Sequence, residues 1–313
     1  MFRRLLFLLP LALLLSLPSH SHAADPTYVG AENCQKCHEA EYHVWEETRH
    51  FKSFKEIHKS PKAKEVLAAV GGPTSMKKHP TCTLCHYTMV PDETGAGLVA
   101  RSGPSCERCH GPASEWIGFH NDYGGATITR EQEDPAHKAT RIADGQKAGM
   151  RWPFMKYDLA SNCMNCHALT QPKLEADTLA KMLDAGHPFK PEWEFIRYSQ
   201  GSVRHRFYPP DITINREMTP QELSRNFVIG AAAKLVSATN ALKKSTHPRY
   251  QEGQKQRRDD AIHILSAVKS VPEAAQLMAS PTDENARKLV AAIQDKDLSG
   301  EVGSLLPDPS TYK

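Results

Sequence analysis

The stretch Gly103-Pro-Ser-Cys106-Glu-Arg-Cys109-His110-Gly-Pro112 contains the pattern C-x-x-C-H, and we expect the fold to be organised around it. Two cysteines three positions apart can each form a thioether with one vinyl group of the same porphyrin. The histidine that follows at once can then ligate the iron. C-x-x-C-H is accordingly the attachment signature of a c-type haem. A further histidine, His120, lies ten residues after His110.

The chain contains four such motifs, which together use all of its eight cysteines. In chain order they are Cys34-Gln-Lys-Cys37-His38 (motif 1), Cys82-Thr-Leu-Cys85-His86 (motif 2), Cys106-Glu-Arg-Cys109-His110 (motif 3) and Cys163-Met-Asn-Cys166-His167 (motif 4). We predict four covalently attached haem c groups, numbered as their motifs, with these cysteines as attachment points and these histidines as proximal iron ligands.

Two other uses of C-x-x-C pairs fit the sequence less well. Zinc sites would group the cysteines into sets of four and would leave the four adjacent histidines unexplained. Disulfides suit an exported protein, but they give no reason for a histidine after each pair.

The first residues have the features of a cleavable export signal. Arg3 and Arg4 precede a short apolar run, and Ser21-His22-Ala23 resembles a cleavage site. The run is short for a membrane span and contains Pro10. We therefore expect residues 1–23 to be a signal peptide and the mature protein to be periplasmic.

Composition limits the functional classes. The 313 residues include 39 lysines and arginines against 36 aspartates and glutamates, so without the leader arginines the polypeptide is nearly neutral. This balance gives no support to nucleic-acid binding. With aromatic residues at 7% and a mean hydropathy of −0.52, we expect a modest core that bound cofactors would complete.

The predicted fold is mainly α with much irregular structure, wrapped around four haems. We expect a tetrahaem domain over residues 24–215, a C-terminal helical segment over 216–299 and a tail over 300–313. A helix is expected from Glu39 to about Phe54, and residues 111–150 look irregular. In the C-terminal segment, the capping box at Thr219 to Glu222 should start a helix that reaches about Lys244. Further helices are expected from about Pro248 to Ser270 and from about Thr282 to Asp295.

Each iron also needs a sixth ligand or an open position. Ten histidines remain beside the leader and motif histidines: His43, His50, His58, His79, His120, His137, His187, His205, His247 and His263. Bis-histidine ligation gives low-potential haems, whereas methionine would raise the potential.

The layout resembles the tetrahaem cytochrome c-554 family, typified by the electron acceptor of hydroxylamine oxidoreductase in ammonia oxidisers. The similar features are Tyr28-Val-Gly before motif 1, Trp45 and Thr48-Arg-His50 after it, and Gly103-x-x-Cys106-Glu-x-Cys109-His110-Gly-Pro112 with His120. The resemblance covers roughly residues 28–190. After about residue 190 the sequence departs from the family pattern.

The resemblance implies three distal ligands. By position, His120 would pair with His38, His187 with His110, and His50 with His167. In the family, haem 2 lacks a protein distal ligand. Here His205, His58 or His79 could fill that position, so either a vacancy or a histidine stays open for His86.

The resemblance implies a periplasmic carrier that moves electrons between a redox donor and an acceptor, with no catalytic residues of its own. The donor could be a membrane-associated, quinol-linked protein. The alternative is a small-molecule reductase of the nitrogen-oxide type at a five-coordinate haem 2, for which Arg204, Arg206 and Tyr208 are candidate pocket residues. The oligomeric state is open.

Overall fold

The computed structural model describes residues 25–313, which are mostly helical with long irregular connections. The predicted mainly α fold class is confirmed. The predicted signal peptide, residues 1–23, lies outside the described residues. Within residues 25–313, no helix is both long and apolar enough to cross a membrane.

The part of the chain with the four motifs is built from short helices and one hairpin. The helices are α1 (Ala31–Gln35), α2 (Glu39–Glu47), α3 (Arg49–Glu56), α4 (Pro61–Val70), α5 (Pro80–His86), α6 (Cys106–His110), α7 (Pro135–Lys147), α8 (Lys156–His167), α9 (Ala176–Asp184) and α10 (Phe195–Ser199). Strands β1 (Thr88–Pro91) and β2 (Leu98–Ser102) pair antiparallel, with a register irregularity between Thr88 and Met89.

The C-terminal part consists of longer helices. They are α11 (Pro220–Ala241), α12 (Pro248–Ala267), α13 (Pro272–Ala279), α14 (Asp283–Ala292) and α15 (Ser299–Val302). The predicted capping box is present: the Thr219 side chain accepts from the Glu222 amide, and the Glu222 carboxylate accepts from the Thr219 amide. Pro220 at the first helical position fits because its missing N–H needs no partner there.

Three sequence expectations need correction. The helix expected from Glu39 to Phe54 is interrupted at Thr48, whose extended backbone and side-chain oxygen cap α3. Residues 111–150 are not irregular throughout, because Asp134 caps α7 by accepting from two backbone amides of its first turn. The C-terminal segment also contains α13 and α15, which were not expected.

The largest core lies between the C-terminal helices and the helix that carries motif 4. Helix α11 is buried along most of its length and packs against α8, α10, α12 and α14. Tyr157, Ala160 and Met164 of α8 belong to the same apolar cluster as the C-terminal helices. The predicted domain boundary near residue 215 falls in the connection between α10 and α11, and it stays a prediction.

Candidate haem-binding site

Each motif presents its cysteines and histidine on one side of a helical turn. In α5, α6 and α8 the motif histidine is the last helical residue. Side chains three and four positions apart lie on the same helix face, so both thiols and the imidazole point the same way. In motif 1 the turn starts in α1, and His38 is the residue that precedes α2.

All four motifs open into one continuous cavity of about 2130 Å³. All eight cysteines line it, together with the four motif histidines and His50, His120, His187 and His205. A pocket for one small molecule has about 300–1,000 Å³, so this cavity has room for several cofactors.

Every motif histidine faces a second histidine across this cavity. The ring centroids are 6.4 Å apart for His38 and His120, and 6.1 Å apart for His86 and His187. They are 6.2 Å apart for His110 and His205. For His167 and His50 the separation is 6.0 Å.

These separations suit one iron between two imidazoles. A metal–nitrogen bond of about 2 Å and a ring radius of about 1.1 Å put the centroids of two opposite ligands roughly 6 Å apart. Direct packing of two rings would allow shorter distances, and unrelated rings would show no common value. The four pairs therefore have the geometry of bis-histidine haem sites. Their role as iron ligands stays a prediction.

The arrangement agrees with two of the expected pairings and corrects the third. His120 faces His38 and His50 faces His167, as the family resemblance implies. The expected pairing of His187 with His110 is wrong, because His187 faces His86 and His205 faces His110. An imidazole thus lies opposite the motif 2 histidine, where a vacancy or His205 was considered.

Packing around motif 2 explains where His187 lies. Leu84, inside motif 2, packs against the apolar cluster that includes Leu179, Met182 and Leu183 of α9. The His187 amide then donates to the Met182 carbonyl at 2.9 Å, just past the end of that helix. The contact between α9 and motif 2 therefore brings His187 to His86.

Backbone carbonyls orient several of the facing imidazoles. Nδ1 lies 3.0 Å from the Ile117 oxygen in His120, 2.8 Å from the Pro188 oxygen in His187 and 2.6 Å from the Val203 oxygen in His205. His110 has the same arrangement, with Nδ1 2.9 Å from the Arg151 oxygen. A carbonyl only accepts, so Nδ1 carries the proton and Nε2 keeps the lone pair that a metal needs.

Burial keeps most of these imidazoles in the neutral form. It lowers the pKa of His86, His110 and His167 to about 4, and it lowers the pKa of His50, His120 and His187 as well. Neutral imidazole is the form that ligates metals. His38 differs, because the Glu41 carboxylate, 3.7 Å from Nδ1, raises the pKa of His38.

The motif helices also contact one another. Helix α6 of motif 3 packs against α1 of motif 1 and against α8 of motif 4, and α5 of motif 2 packs against α8. Motif 3 is thus adjacent to motifs 1 and 4, and motif 4 is adjacent to motif 2.

The alternative chemistries for the cysteines find no support in the described residues. All eight cysteines are free of disulfides. Between residues 25 and 313, no three His, Cys, Asp or Glu side chains are grouped so that they could hold a metal ion. A haem iron with a porphyrin needs only two protein ligands, and pairs of histidines are what the cavity offers.

Of the histidines in residues 25–313, six lie away from the cavity wall, and they include the two other candidates for haem 2. They are His43, His58, His79, His137, His247 and His263. His79 is buried, with Nε2 2.5 Å from the Gly71 oxygen and Nδ1 accepting from the Thr81 amide. These bonds use both ring nitrogens, so His79 has none left for an iron.

Trp193 is a site residue that the sequence did not single out. Its indole is 4% exposed and stacks on the His167 imidazole, with 4.9 Å between centroids and 19° between planes. Tyr198 continues the stack at 5.2 Å from Trp193. The only signal in the sequence was the run of aromatic residues after motif 4.

Comparison with known proteins finds a family similarity over the region of motifs 1 to 3. The family model described as cytochrome c554 and c-prime matches residues 33–111. Cytochrome c-554 of Nitrosomonas europaea is 26% identical over 152 residues, which cover 47% of this chain and 60% of that protein. No solved structure matches the chain significantly.

The chain is therefore similar to c-type cytochromes in this region, and that similarity implies covalently bound haem c and suggests a role in electron transport. More particularly, the expected resemblance to the cytochrome c-554 family is confirmed by both matches. The alignment spans 60% of the relative's length, so the partners and activity of the whole protein do not follow from this similarity.

Proposed function

We propose that this chain is a periplasmic tetrahaem c-type cytochrome that carries electrons between a redox donor and an acceptor. The observation that carries the proposal is the single cavity lined by all eight motif cysteines and by four histidine pairs at 6.0–6.4 Å. Haem c supplies one-electron redox chemistry at each pair. The protein supplies thioether attachment, two imidazoles for each iron, and burial.

The contacts among the motifs support electron transfer along a chain of sites. Helix α6 packs against α1 and α8, and α5 packs against α8. Cofactors attached at these positions would be neighbours in the order 1, 3, 4, 2. The two ends of that order are the natural places for a donor and an acceptor to dock.

Export and partners rest on sequence. The apolar leader with Arg3 and Arg4 supports export to the periplasm. Covalent haem attachment and oxidised partner proteins are compatible with that compartment. A membrane-associated, quinol-linked protein is one class of donor that fits. The alternative is a nitrogen-oxide reductase, which needs an iron position at haem 2 with no protein ligand. That alternative loses its main support, because His187 faces His86.

Electron transfer is tested with the purified holoprotein. Haem content and intact mass should give four haems per chain. The reduced protein, mixed in a stopped-flow instrument with an oxidised one-haem c-type cytochrome, should return all four haems to the ferric state and reduce four equivalents of that cytochrome. Catalytic consumption of nitric oxide or nitrite by the reduced protein would contradict the carrier function.

A further inference from the structure

The histidine that faces motif 3 is held differently from the other three. His205 lies in the connection of residues 200–219 between α10 and α11, and its side chain is exposed. Its Nδ1 bonds to the Val203 oxygen two residues earlier, a local bond of the kind that His120 and His187 also make. By contrast, His50 belongs to α3, where burial lowers its pKa.

The two remaining facing histidines are also fixed by the body of the protein. The His120 carbonyl accepts from Arg141 at 2.6 Å, and Arg141 is paired with the buried Glu133. The His187 amide donates to the carbonyl of Met182 at the end of α9. Among the four facing histidines, which all lie within residues 25–313, only His205 is exposed, whereas His50, His120 and His187 are partly buried.

The His205 segment, residues 200–219, is hydrogen-bonded mainly within itself and contacts the rest of the protein at few points. Internally, the Asn215 side chain binds the Arg204 oxygen at 2.6 Å and the Arg206 amide at 2.9 Å. Externally, Arg206 donates to the Glu222 carboxylate of α11 at 2.7 Å. The segment's base is held by the chain's last residue, since the Lys313 carbonyl accepts from Ser202 at 2.9 Å.

We propose that His205 is an exchangeable ligand, and that its segment opens as a unit to admit a small diatomic ligand at haem 3. The Arg206–Glu222 ion pair and the Lys313–Ser202 bond act as its clamp. The inference rests on the proposed function, because it needs a haem attached at Cys106 and Cys109. In the exchange, one iron–nitrogen bond breaks and one bond from iron to the new ligand forms, with no electron transferred.

The surroundings of His205 suit an uncharged diatomic ligand. Phe207 and Tyr208 line the cavity beside it, and Arg206 donates to the Tyr208 hydroxyl at 2.6 Å. Arg206 already donates hydrogen bonds to Tyr208 and Glu222, so its guanidinium is not available to bind an anionic ligand. The cavity wall near His205 thus offers an aromatic ring and a hydroxyl group.

Carbon monoxide binding to the fully reduced holoprotein tests the proposal. We expect one carbon monoxide per four haems, bound slowly. The variant Arg206→Gln loses the ion pair with Glu222, and a chain lacking Lys313 loses the backbone bond to Ser202. Each variant should therefore bind carbon monoxide about tenfold faster than the wild type. His205→Ala should bind it fastest, still with one per chain. Arg225→Gln is the matched control, since Arg225 of α11 donates to the Lys296 oxygen, outside the His205 segment.

Two results would overturn the proposal. Two carbon monoxide molecules per chain in His205→Ala would show that the wild-type ligand binds at another haem. No binding in either clamp variant would show that His205 does not exchange. Haem content separates these outcomes from failure of the proposed function: a protein with fewer than four haems refutes the tetrahaem assignment instead, whatever its affinity for carbon monoxide.

Discussion

At the residue scale, two glycines of the motif 3 stretch allow close backbone contacts. A Cβ on Gly103 would overlap the backbone oxygen of His50, and a Cβ on Gly111 would overlap the backbone oxygen of Gly149. Gly111 also has a φ of +96°, a conformation that side chains disfavour. The sequence pattern Gly103 to Pro112 therefore encodes packing as well as haem attachment.

Replacement of Gly103 by alanine should destabilise the holoprotein by about 2 kcal/mol or more, because backbone atoms around His50 must move. Thermal unfolding measures the loss, and the absorption of the haem paired with His167 should change with it. Gly118→Ala is the matched control, because no atom lies within 4 Å of its added Cβ. Equal stability of the two variants would contradict the account.

Glu133 provides a residue-scale prediction on pH. The hydrogen bond from Arg141 lowers the pKa of Glu133 to about 2, and His137 adds to the effect. A carboxylate with a depressed pKa stabilises the fold above its usual pKa and loses that contribution as the pH falls from about 4.5 towards 2. In an acid-unfolding titration, the stability of Glu133→Gln should therefore fall less than that of the wild type between about pH 4.5 and 2. Identical acid titrations of wild type and variant would refute this role.

At the element scale, α12 is fastened to the end of α8 that carries motif 4. Tyr250 donates to the Leu169 oxygen, and Gln254 donates to the Ala168 oxygen. The Arg257 guanidinium, 1% exposed, lies 3.0 Å from the Met164 sulfur and 2.5 Å from the Gln254 side-chain oxygen. Its hydrogen bonds go to neutral groups, and burial lowers the pKa of Arg257 to about 10.

A buried cation behind motif 4 should raise the reduction potential of the haem attached there, because it favours the more negative reduced state. Arg257→Met should lower that potential. A unit charge about 10 Å away at an effective dielectric of about 20 corresponds to about 70 mV for a one-electron couple. Potentiometric titration measures the shift. Arg258→Met is the control, because Arg258 on the same helix is exposed and paired with Asp259. Equal potentials in the two variants would contradict the prediction.

Elements differ in how far the sequence could predict them. Helix α11 was predictable because Thr219, Pro220 and Glu222 form a complete start signal. Helix α7 has a similar start at Asp134 and Pro135, but the surrounding glycines and polar residues hid it. The pairing of His187 with His86 could not be derived from local signals, because it depends on the packing of α9 against Leu84.

At the scale of the whole molecule, the histidine pairs connect distant parts of the chain. His50 reaches His167, and His205 reaches His110. The motif cysteines and their histidines were predictable from spacing alone. The partners of two of the four motif histidines were not, since any of several histidines could reach an iron and only the three-dimensional arrangement selects one.

This cross-linking predicts that loss of one attachment affects more than one site. Cys109→Ser should weaken attachment at motif 3 and also disturb the neighbouring sites, because α6 packs against α8 and the segment after α6 provides His120. Absorption spectra of the variant should show changes beyond a single haem. A stable three-haem protein with the other spectra unchanged would argue against the shared arrangement.

The central claim is that four irons each lie between two histidines in one cavity, with His187 on haem 2 and His205 on haem 3. Near-infrared magnetic circular dichroism of the oxidised holoprotein tests it most directly, in wild type and in His187→Ala and His205→Ala, with His263→Ala as control. We predict four low-spin bis-histidine haems in wild type and in the control, and three in each of the two variants. A high-spin haem or a histidine–methionine signature in the oxidised wild type, or four bis-histidine haems in either variant, would contradict the account.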